Sequence, residues 1–141
     1  MRVVLDTNVL VSGLITPFGP AGDIVRLLAA GVIRACYDVR ILAEYREVLS
    51  RPAFGIAAER LEALIDQVRA DGVLVTARPL AARLPDPDDE VFLAVALAAG
   101  ATCLVTGNLR HYPDRSRHGL PVLSPRRLLD QYGDALAPAG A

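Results

Sequence analysis

Val3-Val4-Leu5-Asp6-Thr7-Asn8-Val9-Leu10-Val11-Ser12-Gly13 is the stretch whose reading decides the fold. Its first residues predict a short buried strand and its later ones the start of a helix. Asp6 stands at the junction. Open α/β sheets place their ligands at the carboxyl ends of such strands. A carboxylate there is costly to bury unless it is paired or holds a cation. Asp6 is therefore either the cap of the following helix or part of a metal site.

Outward from this stretch, short apolar runs alternate with helical patterns. Strands are expected at Val3–Leu5, Val32–Cys36, Val73–Val75, Thr102–Val105 and Val122–Leu123. Helices are expected at about 8–15, 21–30, 39–50, 57–70, 87–99 and 125–132. This alternation predicts an α/β chain, a parallel sheet of about five strands covered on both faces. Gly31, Gly72 and Gly100 each follow a helical stretch, as C-cap glycines do. One domain over 1–133 is expected, with 134–141 as a frayed tail.

Composition narrows the chemistry. The chain has 141 residues and 52% hydrophobic content, enough for a real core. There is no Lys, which excludes a Walker A phosphate loop. Cys36 and Cys103 lie in apolar runs without zinc-ligand spacing and read as small core residues. Asp6 and Asn8 interrupt any signal-peptide core, and no apolar run approaches membrane length. A cytoplasmic setting is the expectation.

Two further acidic positions matter. Glu44 lies at the border of the stripe formed by Ile41, Leu42, Tyr45, Val48 and Leu49, whereas Glu47 points away from it. Glu44 is a rim charge or a group reaching into a cleft. Asp86-Pro87-Asp88-Asp89-Glu90 opens a nearly all-apolar helix. Asp86 suits the N-cap and Pro87 the first helical position, but a cap does not require four acids. Periodicity does not choose between Asp88 and Asp89. In a parallel sheet these helix starts and strand ends share one edge. Carboxylates converging there repel, and a hard divalent cation such as Mg²⁺ or Mn²⁺ relieves the conflict. Such a site suits hydrolysis of phosphodiesters.

Val-Leu-Asp-Thr-Asn-Val-Leu at 4–10, Glu44 in a central helix, Asp-Pro-Asp-Asp-Glu-Val-Phe-Leu at 86–93 and Val-Thr-Gly-Asn at 105–108 together resemble PIN domains. More narrowly, they resemble the VapC-like ribonuclease toxins of bacterial toxin–antitoxin pairs. The resemblance implies a three-layer α/β/α sandwich and a metal-dependent endoribonuclease that leaves 5′-phosphate and 3′-hydroxyl ends. It implies Asp6, Glu44 and Asp89 as metal-binding catalytic acids, with Asp88 the adjacent possibility. Asn108 and His111 stand where a fourth acid is often found, which leaves one or two ions open, and Asn108 is a candidate for positioning water. Thr7, Asn8 and Ser12 are expected to orient Asp6 or a ligated water. A homodimer and a cognate antitoxin that covers the acids are also implied.

Arg110, Arg115, Arg117, Arg126 and Arg127 form a basic band containing one acid, Asp114. Despite a net charge of −1, such a band can meet RNA phosphates, and Arg110, Arg115 and Arg117 are the candidates. Arg126 and Arg127 fit an antitoxin's acids equally well. His111 and His118 are expected at the surface or facing phosphate. Tyr112 is either a stacking platform for a base or an apolar anchor for its loop. The alternatives to a toxin are an RNA-processing nuclease or a catalytically weak interaction module.

Overall fold

The computed structural model describes residues 1–80 and 83–136. Strand β1 (Arg2–Leu5) lies at the centre of the sheet, and Val3, Val4 and Leu5 are fully buried. Burial of consecutive residues means that both faces of the strand are covered. The chain then forms α1 (Thr7–Ile15), α2 (Pro20–Ala29), β2 (Arg34–Tyr37), α3 (Val39–Leu49) and α4 (Ala58–Asp71). It continues through β3 (Val73–Leu74), α5 (Glu90–Ala99), β4 (Cys103–Val105), β5 (Val122–Leu123) and α6 (Pro125–Leu136). The strand order is β3-β2-β1-β4-β5, and every neighbouring pair is parallel. This is the expected three-layer α/β/α sandwich.

The first half of the chain winds to one side of β1, and the second half crosses back to the other. Strand order therefore reverses at β1, and the crevice at that reversal is where doubly wound sheets bind ligands. Helix α5 packs against β1, β2 and β4, with Phe92, Leu93, Val95 and Ala96 buried. Cys36 and Cys103 are buried and free, as a core role requires.

Several boundaries differ from expectation for local reasons. Val32 and Ile33 donate their N–H groups to Leu27 O at the end of α2, so β2 begins at Arg34. Pro87–Asp89 forms a tight 3₁₀ turn, and the α-helix proper starts at Glu90. Helix α6 continues to Leu136, which is buried. The remainder of the expected tail, 137–141, lies outside the described residues. Gly31 and Gly100 have φ of +76° and +59°, as helix-ending glycines do, but Gly72 has φ −73°. Gly72 is needed for space instead. A Cβ there would lie 2.1 Å from Val68 O and 2.6 Å from Ala35 O.

Candidate functional site

Asp6 occupies the N-cap position of α1, yet its side chain makes no cap hydrogen bond. The Asp6 carboxylate is buried and held by two hydroxyls from beyond β4. Thr106 Oγ1 donates to Asp6 Oδ2 at 2.9 Å, and the Tyr112 hydroxyl donates to the same oxygen at 3.0 Å. No side chain among the described residues donates to Oδ1. Burial pushes the Asp6 pKa up, while Thr106 and Tyr112 hold it back. Burial and the nearby acids push the Tyr112 pKa far up, so its hydroxyl stays protonated and a donor.

Asn8 fixes the turn that carries Thr106. Its Oδ1 accepts from the Gly107 N–H at 2.9 Å, and its Nδ2 donates to Thr106 Oγ1 at 3.4 Å. Thr7 donates its hydroxyl to Glu44 Oε2, joining the start of α1 to the middle of α3. Glu44 is half-buried, as its position at the border of the stripe predicts. Burial raises its pKa, Thr7 lowers it, and the charges of Asp6 and Asp88 raise it further. Beneath the site, the fully buried Tyr45 donates to Leu5 O and fixes α3 against the end of β1. Ser12 is exposed, and no side-chain hydrogen bond joins it to the acids among the described residues.

Asp89 is buried and Asp88 exposed, so the structure separates two residues that periodicity does not. Burial raises the Asp89 pKa to about 6; the Asp6 charge adds to this, while His111 opposes it. His111 Nδ1 lies 2.7 Å from Asp89 Oδ2, and Asn108 Nδ2 lies 2.8 Å from His111 Nε2. The amide can only donate at that contact, so a neutral imidazole carries its proton on Nδ1 and donates it to Asp89. Asn108 thus acts on Asp89 through His111. His111, expected at the surface or facing phosphate, is 38% exposed and engaged at both ring nitrogens. Asp86 caps the turn by accepting from the Asp88 N–H at 3.0 Å. Asp86, Asp89 and His111 also offer ligand atoms within 4.8 Å of one another, a set that could hold a metal ion.

No arginine forms an ion pair with Asp6, Glu44 or Asp89 among the described residues. Carboxylates buried without an arginine partner suit a hard divalent ion, but Asp6 and Glu44 are not part of the group, Asp86, Asp89 and His111, whose ligand atoms all lie within 4.8 Å of one another. The basic band is less uniform than its sequence. Arg110 and Arg115 are exposed. Arg117 instead binds its own loop, donating Nε–H to Tyr112 O at 2.7 Å and pairing with Asp114 at 2.8 Å. Tyr112 is fully buried, so it is a loop anchor with a working hydroxyl and not a stacking platform.

A family model described as PIN domain matches residues 2–110. The chain belongs to the PIN-domain family. No curated protein and no solved structure is matched. PIN domains are typically metal-dependent nucleases, and Asp86, Asp89 and His111 of this PIN domain could hold a metal ion. Sequence reasoning passed over Thr106 and the hydroxyl role of Tyr112. Thr106 stood inside the quoted Val-Thr-Gly-Asn segment, but nothing local marks a hydroxyl whose partner lies 100 residues away. No helix among the described residues is long and apolar enough to cross a membrane.

Proposed function

We propose that this PIN domain is a Mg²⁺- or Mn²⁺-dependent endoribonuclease in which Asp6, Glu44 and Asp89 hold the metal. The observation that carries the reading is the pair of buried carboxylates, Asp6 directly after the central strand and Asp89 with ligand atoms of Asp86 and His111 within 4.8 Å of its own. When bound, the ion supplies a Lewis acid for phosphate oxygens and a water of lowered pKa. The protein's part is positioning. Thr106 and Tyr112 both donate to Asp6 Oδ2 and fix its carboxylate. Thr7 orients Glu44, and Asn108 orients Asp89 through His111. Asp88 and Asn108 are the candidates for a second ion or for holding a water. Arg110 and Arg115 are the free members of the expected RNA-binding set. In-line attack leaves 5′-phosphate and 3′-hydroxyl ends.

The toxin reading completes the proposal. It comprises a homodimer in the cytoplasm, neutralised by a cognate antitoxin that covers the acids. Its support is the likeness of the four quoted segments to VapC-like ribonucleases. Purified protein and labelled RNA with Mn²⁺ test the nuclease. Cleavage is expected, and Asp6→Asn should lower it by about 10²-fold or more. Equal cleavage by the variant would overturn the assignment. Growth arrest on expression of wild type, absent in Asp6→Asn, separates a toxin from an RNA-processing enzyme. Asn108, in place of an acid, favours a second reading as an interaction module. Failure to bind Mn²⁺ by calorimetry would decide for that reading.

A further inference from the structure

A cavity of about 400 Å³ opens beside the acids, with Glu44 and Asp88 in its wall. That volume is within the range of sites that hold small ligands. Leu80 and Val91 give it an apolar side, and Arg40 and Arg83 line it too. These arginines lie outside the basic band, in α3 and ahead of α5. We propose that this cavity seats the nucleotide next to the scissile phosphate, with Arg40 and Arg83 binding the RNA backbone. The proposal rests on the nuclease reading and names where its substrate continues beyond the acids.

Arg40 is built for this task. Asp38, itself buried, caps α3 by accepting from the Ile41 N–H at 2.9 Å. The same carboxylate takes Arg40 Nε–H at 2.8 Å and NH2 at 2.7 Å. A guanidinium has five N–H donors, so these two bonds leave about three unused. The Arg40 side chain remains 54% exposed although it is fixed at its root. A cation held in place loses little further freedom when a phosphate arrives. Arg83 is 85% exposed and touches the largely buried Glu90, another residue of the cavity wall, at 3.3 Å, so most of its guanidinium faces solvent. A phosphodiester chain cut at Asp6 and Asp89 must place a neighbouring nucleotide close by. This cavity joins that place to two cations and an apolar wall against which a base can lie.

The test is fluorescence anisotropy with a short labelled single-stranded oligoribonucleotide of mixed sequence, in excess EDTA so that nothing is cut. Losing one phosphate contact should weaken binding about 5-fold at about 0.1 M salt and make the salt dependence shallower by about 0.7 in log–log slope. Arg40→Gln and Arg83→Gln should each show this loss, and Arg40→Lys should recover part of it. Arg69→Gln, at an exposed position of α4 away from both the cavity and the basic band, should match wild type. Thermal melting checks both variants, because Arg40→Gln takes the cation from Asp38 and Arg83→Gln takes it from the largely buried Glu90. Wild-type affinity and slope in both glutamine variants would overturn the subsite while leaving the nuclease intact. No RNA binding by wild type would also overturn it, and a parallel Mn²⁺ cleavage assay would then show whether the nuclease reading falls as well.

Discussion

Asp6 receives the hydroxyl of Tyr112 from 106 residues further along the chain and that of Thr106 from 100. Groups that hold a metal ligand in one orientation usually set its affinity. Tyr112→Phe removes one donor while keeping the ring that fills the core. Mn²⁺ affinity should fall about tenfold, read by titration calorimetry. Unchanged affinity would show that Thr106 suffices alone. Which residues were legible follows from range. Asp6 was marked by the apolar run before it, and Glu44 by the stripe beside it. Periodicity left Asp89 level with Asp88, the family likeness favoured Asp89, and burial distinguishes the two. Thr106 and Tyr112 were not legible as ligands of Asp6, because a hydroxyl leaves no local pattern to say what it will meet.

At the scale of elements, the sequence marked where helices stop but not why each glycine stands there. Gly100 takes a left-handed conformation, so Gly100→Ala should cost about 1–2 kcal/mol. Gly72 has ordinary dihedrals but almost no room, since its Cβ would press on backbone oxygens of α4 and β2. Gly72→Ala should cost about 2–3 kcal/mol through overpacking, and urea denaturation of the two variants checks the order. Among the described residues, the five strands and six α-helices were all legible from periodicity and β-branched runs. Their edges were less so, because Val32 and Ile33 satisfy the end of α2 before the strand can begin. Asp38 illustrates an element-scale economy: one carboxylate both starts α3 and holds Arg40.

For the whole molecule, the acid cluster makes stability depend on pH in an unusual direction. Asp89 has a raised pKa, near 6 against an unfolded value near 4, so the folded state binds the extra proton. Its contribution is complete below about pH 4 and is lost as pH rises through 6; the raised pKa values of Asp6 and Glu44 act in the same sense. In EDTA, the melting temperature should therefore fall between pH 4 and 6 along this component. In Asp89→Asn the fall should be smaller, and an equal fall in both would reject the cause. Mn²⁺ at pH 7 should raise the melting temperature by mass action. Strand order was not legible in the sequence, because pairing partners such as Val3 and Cys103 are neighbours only once the chain has crossed back over β1. That crossing has a consequence for how the protein is made. A ribosome releases β1 about a hundred residues before the loop bearing Thr106 and Tyr112. The growing chain therefore carries Asp6 without its two hydroxyl partners until those residues have been added, and translation itself delays completion of the site.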